Sequence, residues 1–581
     1  MSKLPYLLTT FTILLSLLVR QESQANSCEI VWKGDSLAVL RYQNLTSGLS
    51  LCDSLNATKS LNEAVSVLNE SGYLLAAYSY RSDSTSVVIN CRLGAVYRWA
   101  QLDIGNIPTL LLSRISRRAE DFTDKELNPK SYIKLIDQII SYSENHGLPF
   151  ASVMIDSLTV SDRTVFGRLN YEPGPTIKFD SLSLSGSIRT KRSWLESYLG
   201  IRHGALYSQK IVDDIERGIA QLPFLDLQET PSISFQNKEA TVMLKLVERK
   251  VSSADGIVGF LPNEEESGRL LITGQFDLSL QNLFRSGKQF QLKWQSLKAR
   301  SQFLDITYRH PNVLRSSLDF EADFNLLKED TLFLTRRSFL GVSYRTNRSR
   351  FKVFSQFFSS DLLGTGGAEN IIILPESIDL NTISYGLGFE YSNLDLIFTP
   401  MSGIYFNVSA MAGTKEIERN SDIPPELYTN VDLSTVQYKM QMSFSAYYRL
   451  AQKLVLNSQV RAGGVFNDEL FLNDLFRVGG LNSLRGFNEN FFFAQRYITG
   501  SVELQFHFQE NSYIFTFYDQ AYLEYDLNTS KFDDYPLGLG LGLSLYTGAG
   551  HVNLVYALGR SEEQPLSLNL SKFHFGYVAR F

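Results

Sequence analysis

Cysteine is nearly absent. The chain has three in 581 residues, Cys28, Cys52 and Cys91, and none after position 91. That excludes a fold stapled throughout by disulfides. Cys52 and Cys91 are candidates for one disulfide in an oxidising compartment, a pairing that spacing leaves open, and Cys28 reads as a structural cysteine. Histidine is also scarce: six residues, scattered, with no metal-ligand spacing. Neither a G-x-x-x-x-G-K-[ST] phosphate loop nor an H-E-x-x-H pair occurs. The expectation is a chain with no enzymatic centre, no metal and no cofactor. There is no strong basic run and the net charge is −6, which argues against a nucleic-acid partner. Beyond the N-terminus no stretch approaches the ~20 consecutive apolar residues that a membrane helix needs.

Aromatic residues, by contrast, are plentiful: 39 Phe and 29 Tyr, with a mean hydropathy of only −0.10. Many aromatics without apolar runs suit a β-barrel, whose signal is spread over strands of ~10 residues. An aromatic-rich soluble β protein has the same composition. Residues 1–25 read as a secretory signal, with Lys3 as the positive start, Leu7 to Val19 as the apolar core and Ser23-Gln24-Ala25 as the cleavage site. Export from the cytoplasm follows.

Residues 26–250 carry a repeat of about 75 residues, closer to a small domain than to a solenoid unit. Each copy has a helix, a short loop and two strands. Leu61, Ala64, Val65 and Leu68 form one helical face; Tyr132, Ile136, Ile139 and Ile140 form the next. Ile211, Ile215, Ile219 and Leu222 form the third, after Ser208 as N-cap. Leu148-Pro149-Phe150 and Leu222-Pro223-Phe224 occupy matching places. The junctions repeat as well, Gly94-x-x-Tyr97-x-Trp99 against Gly174-x-x-Ile177-x-Phe179. Tandem α+β modules over 26–95, 96–174 and 175–250 are expected.

After about residue 250 the helical period gives way to a period of two. Leu270, Ile272, Gly274, Phe276, Leu278 and Leu280 alternate with Leu271, Thr273, Gln275, Asp277, Ser279 and Gln281. Val502, Leu504, Phe506 and Phe508 alternate with Glu503, Gln505, His507 and Gln509. Gly538, Gly540 and Gly542 alternate with Leu539, Leu541 and Leu543, glycines toward a lumen and leucines toward lipid. In the last segment Phe573, Phe575, Tyr577, Ala579 and Phe581 share a face, with His574, Gly576 and Arg580 opposite. Apolar-out, polar-in alternation is what a barrel with lipid outside and water inside requires, and residues 251–581 allow roughly 16 strands. The seam is expected between a first strand near Leu270–Leu280 and the last, Phe573–Phe581.

One loop stands out. In Val478-Gly479-Gly480-Leu481-Asn482-Ser483-Leu484-Arg485-Gly486-Phe487, glycine-bearing turns flank a single arginine. Glycines let a backbone fold back tightly. If the loop turns inward, Arg485 needs a carboxylate, and Glu503 and Asp519 lie on polar faces of later strands. An ordinary surface loop with a solvated arginine is the alternative on the residues alone. This stretch resembles the signature of the BamA/TamA family of outer-membrane assembly proteins, whose inward loop carries an R-G-[FY] core after a G-G turn. Gly479, Gly480, Arg485, Gly486 and Phe487 match it. Phe517-Tyr518-Asp519-Gln520-Ala521 is similar to the family's F-x-D-x-G strand motif, with Ala521 in place of the glycine. Asn282-Leu283-Phe284 through Gly287, then Tyr308-x-x-Pro311, resembles its early-barrel pattern.

The resemblance implies α+β POTRA-like modules in the periplasm, then a transmembrane antiparallel β-barrel in the outer membrane of a Gram-negative bacterium. It implies a protein that folds and inserts β-barrel or autotransporter-like clients, nearer the TamA type by module number. Its partners would be unfolded outer-membrane proteins and outer-membrane lipid, with periplasmic chaperones or accessory assembly proteins as candidates. Phe573, Phe575, Gly576, Tyr577 and Phe581 would form the closing-strand signal by which such barrels are recognised. The alternative is a two-partner-type secretion pore that translocates a passenger; those usually carry two modules and an N-terminal plug helix, which is not evident after Asn26.

Overall fold

The computed structural model describes residues 27–33, 62, 65–69, 73, 75–82, 86–115, 125–126, 129–162, 164–262, 270–296, 300–330, 332–364, 373–396, 399–481, 483–509, 511–527, 530–547 and 550–579. The secretory-signal segment, Cys52 and Phe581 lie outside these residues, as do the side chains of Cys28 and Cys91.

The chain divides into two compact units. The first holds residues 1–177 and 206–209. In it, strands Ser27–Lys33, Ser86–Arg92 and Ala77–Ser82 form a three-stranded sheet. A second sheet orders Lys125–Glu126, Arg98–Asp103, Thr164–Glu172 and Ser152–Ser161. Helix Pro129–Glu144 packs on it through Leu135 and Ile139, both fully buried, against Leu102, Val165 and Leu169. Ile136 and Ile140 sit partly buried beside them, so the helix buries the face its apolar spacing marks. Ser152–Ser161 is an edge strand that leaves Met154, Leu158 and Val160 exposed.

The second unit holds residues 178–205 and 210–581. It opens with an α+β layer in which Glu239–Glu248 lies between Lys178–Ser185, in parallel, and Ser232–Gln236, antiparallel. Phe179, Leu182, Leu195, Ile215, Ile219, Val242 and Leu246 are its buried core. A single antiparallel sheet of seventeen segments follows, from Ser253–Pro262 to Lys572–Ala579. Lys531–Asp534 and Leu537–Thr547 both pair with Ser512–Asp526, so they are one stave broken at Tyr535-Pro536, where proline has no N–H for the ladder. Seventeen segments thus make sixteen staves.

The first stave is Ser253–Pro262, not Leu270–Leu283, which is the second. Ser253–Pro262 hides from a period-two search because Ile257 and Leu261 share one face with Asp255, while Gly256, Val258 and Phe260 share the other. Elsewhere the alternation holds. Leu340, Val342 and Tyr344 point outward and are exposed, as are Phe351 and Val353 across the pair, while Phe339 and Phe354 meet inside with ring centroids 5.0 Å apart. Val502, Leu504 and Phe506 are exposed, and the intervening Gln505 and His507 are buried. An outer surface this apolar fits hydrocarbon and not water.

The α+β layer docks on the end of the barrel where connections are short. The Asn282 side chain donates to Thr190 Oγ1 at 2.8 Å, Lys191 N donates to Arg285 O at 2.9 Å, and the Arg345 guanidinium lies 3.8 Å from the Tyr198 ring centre. At the seam, Ser253–Pro262 and Lys572–Ala579 come alongside each other, yet no ladder joins them among the described residues. Every other neighbouring pair of staves is laddered.

Candidate functional site

The connection between staves Leu454–Phe466 and Arg496–Gln509 does not stay outside. It forms a small hairpin, Phe476–Val478 with Phe492–Ala494, and then turns into the lumen. Gly479 and Gly480 take φ of +130° and +95°, conformations that a side chain would strain. Gly480 N then donates to Leu484 O at 3.0 Å, and Ser483 Oγ donates to Gly479 O at 2.8 Å. This tight return delivers Arg485 to the wall.

Arg485 is 7 % exposed and Asp519 only 2 %. Nε and one terminal nitrogen donate to the two oxygens of Asp519, at 2.8 and 2.5 Å, the paired geometry that suits a guanidinium to a carboxylate. The backbone N–H of Arg485 donates to the same carboxylate at 3.1 Å. The other terminal nitrogen donates to Glu503 Oε1, while the one bonded to Asp519 also donates to Ser501 Oγ at 2.7 Å. The guanidinium plane stands 3.6 Å from the centre of the Phe517 ring. Glu503 is steadied in turn by Gln505 Nε2 at 2.9 Å. A polar cavity of about 160 Å³ adjoins the group, with Gln459, Arg461 and Thr499 on its far side. Two carboxylates, one guanidinium and a ring thus form a fixed clamp with no group poised as a nucleophile.

The wall is shaped to receive the loop. A Cβ built at Gly538 would come within 2.1 Å of Arg485 O, and one at Gly486, whose φ is +93°, within 2.6 Å of Gly559 N. The lumenal glycine row expected at Gly538, Gly540 and Gly542 is therefore filled: backbone of the loop covers the first, and the Phe517 and Phe515 rings cover the other two. Gln564 Nε2 bridges Gly486 O and Gly559 O at 3.3 and 3.1 Å. Phe487 is fully buried among Val478, Leu484, Phe492, Ala521 and Leu523. The Ala521 methyl, where the motif has glycine, packs into that cluster.

The structure brings Gly479, Gly480, Arg485, Gly486, Phe487, Glu503 and Asp519 to one place. Ser501 has no motif to mark it, although it shares the inward phase of its stave with Glu503; Phe517 is marked as the first residue of the F-x-D-x-G stretch, and its ring contact with Arg485 is the addition. Gly559 and Gln564 carry no sequence signal for this contact. The expected terminal signal is a separate feature. Phe573, Phe575, Gly576 and Tyr577 lie on stave Lys572–Ala579, which pairs with Gly550–Arg560, and Phe573 is 67 % exposed.

A family profile described as the Omp85 superfamily domain matches residues 282–581. No curated protein matches the chain. Among solved structures, CdiB from Escherichia coli is similar with a TM-score of 0.54 at 14% identity, over 94% of this chain and 98% of that one. CdiB from Acinetobacter baumannii gives 0.53 at 13% identity, over 94% and 100%. BamA from Haemophilus ducreyi lacking POTRA domains 1–3 is matched over 84% of this chain and 100% of that one, at 15% identity and a TM-score of 0.42.

Proposed function

The chain belongs to the Omp85 superfamily, and from that premise we propose that it folds and inserts β-barrel clients into the outer membrane. It is an outer-membrane β-barrel protein of that family. The observation that carries the proposal is the seam: among the described residues the first and last staves lie side by side without a ladder, whereas every other neighbouring pair is laddered. A client strand in lipid has unpaired N–H and C=O groups that cost several kcal/mol each. A free stave edge satisfies them one strand at a time, and burial of the client's apolar face supplies the drive without nucleotide. The α+β modules, placed in the periplasm, hold the client first. The exposed apolar edge strand Ser152–Ser161 suits strand addition. The Arg485 clamp braces the wall from inside while the seam works. Phe573 to Phe581 serves as this barrel's own closing-strand signal.

The second candidate is a secretion pore for a passenger polypeptide, favoured by the fold likeness to the two CdiB structures. Photocrosslinkers at Phe573, on the seam, and at Gln459, in the lumen, separate the two. Nascent barrel clients captured at Phe573 support assembly. A passenger captured only at Gln459 rejects it in favour of secretion.

A further inference from the structure

The inward loop has a second charged anchor, near the end of another stave. Lys415, on stave Gly403–Ile417, and Asp474, at the root of the loop, form an ion pair whose side chains are both 0 % exposed. Lys415 Nζ also donates to Glu469 O at 2.6 Å and lies 5.1 Å from the Phe471 ring centre. Asp474 Oδ2 accepts from Phe471 N at 3.0 Å, while Oδ1 meets no donor among the described residues. The neighbouring Asn473 side chain donates to Ser360 Oγ and Ile378 O at 2.8 and 2.7 Å, and Leu472 N donates to Glu376 O at 2.7 Å. Phe471 sits in an apolar cluster with Ile378, Leu380, Ile417, Ile423 and Tyr428, drawn from two other long connections and the staves beneath them.

Between the two anchors the loop is apolar and continuous. Leu475 and Phe476 pack with Val465 and Leu527, then Leu484 and Phe487 with Ala521 and Leu523, and Leu481 with Phe517, Val555 and Ala557. Apolar contact of this kind has no direction and tolerates sliding. Charges do not slide. A buried pair with one unsatisfied oxygen is a poor stabiliser compared with packed hydrocarbon, so its contribution lies in geometry.

We propose that Lys415 and Asp474 are positioning residues that fix the seat of the inward loop, so that the loop is pinned at two points and Arg485 arrives at Asp519 in register. Losing either charge leaves the other buried without its ion-pair partner, Lys415 with the Glu469 carbonyl and the Phe471 ring, Asp474 with the Phe471 N–H and the nearby charge of Lys439, and the loop root leaves its seat to hydrate it. The Arg485 end then loses its fixed origin, and the lumen opens.

The test uses the purified full chain in planar bilayers. Lys415→Met, Asp474→Leu and Asp474→Asn are compared with the double variant Lys415→Met/Asp474→Leu. Asp474→Asn keeps the shape and the acceptor for Phe471 N while removing the charge. Folding is checked by the heat-induced shift on a gel, and loop exposure by tryptic cleavage after Arg477 and Arg485. Each single variant is expected to keep the heat shift, to raise time-averaged conductance tenfold or more, and to be cut in the loop. The double variant, with no stranded charge, is expected to return toward the wild-type conductance. Folded single variants with wild-type conductance overturn the proposal. So does a double variant as open as the singles, because the stranded charge is then not the cause. Singles that lose the heat shift while the double keeps it also overturn it, by making the pair a folding requirement. The inference rests on the inward loop having the role proposed above, but conductance and cleavage are read without any client, so failure of the assembly proposal and failure of this one are distinguishable.

Discussion

Replacing Arg485 by alanine removes the centre of the clamp and leaves two carboxylates behind. Asp519 is 2 % exposed and accepts three hydrogen bonds from Arg485, one from the backbone and two from the side chain. Only the backbone bond survives the truncation. Removing one partner of a buried pair costs about 3–5 kcal/mol, because the remaining charge keeps its desolvation penalty. At 1.4 kcal/mol per tenfold, that is a shift of roughly two to three and a half orders of magnitude in the ratio of seated to unseated loop. The barrel itself should survive, since the staves are held by their own ladders and the loss is confined to one connection. Client assembly should therefore fall much further than abundance. The assay is a pair of measurements on the same membranes: the level and heat shift of the protein, and the folded fraction of a barrel client. Arg485→Lys is the informative companion. It keeps the charge but has one point donor group in place of the fork, so it cannot hold both oxygens of Asp519 and reach Glu503 together. It should fall between wild type and alanine. Normal client assembly in Arg485→Ala, with the protein present at the usual level, refutes the role assigned to the clamp.

Gly486→Val should mimic the loss of the arginine, because the new side chain meets Gly559 backbone at 2.6 Å and its φ of +93° is costly for a branched residue; wild-type assembly in that variant counts against the close approach. Gly287→Val should loosen the α+β layer from the barrel, since a Cβ there would stand 2.1 Å from the Trp194 ring at φ +66°. Faster proteolytic cutting between residues 178 and 250, with the barrel heat shift intact, is the expected result, and unchanged cutting refutes it. Deleting Phe581 should lower the protein's own level in the outer membrane, and an unchanged level rules out the closing-strand signal. The unheated protein should migrate faster than the heated one, and the absence of that shift rules out a barrel.

The period of two made most of the barrel visible in the sequence, because each stave has one face in hydrocarbon and one in a polar lumen. Val502, Leu504 and Phe506 announce their stave, and the phase of that pattern places Glu503 inside without any structure. Arg485 with Asp519 was legible through the resemblance of the loop and of the F-x-D stretch to the family's motifs; on the residues alone a solvated surface arginine stayed open. The failures are as physical. Ser253–Pro262 does not show in the pattern because small and apolar residues fall on both of its faces, whereas the other seam stave, Lys572–Ala579, alternates clearly. Lys415 and Asp474 lie 59 residues apart, on a stave and a loop root, and nothing local to either marks them as partners. The contact of Trp194 with Gly287 joins two elements whose separate patterns are ordinary for a helix and a turn.

On the assembly reading proposed above, the inward loop stays seated while a client joins. Phe471, Phe476, Phe487 and Phe492 of that connection are each no more than 8 % exposed. Fully burying a phenylalanine is worth ~1.5–3 kcal/mol, so the four together oppose removal by roughly 6–12 kcal/mol before either charged anchor is counted. A client joining at the seam displaces none of them. It meets two adjacent stave edges with no ladder to break among the described residues, and it gains backbone hydrogen bonds as it pairs. A loop held at both ends is then an aid to the proposed activity: its contacts with Asp519 and with Gly559, on the stave that pairs with the closing one, hold the wall beside the seam in place while the seam edges separate.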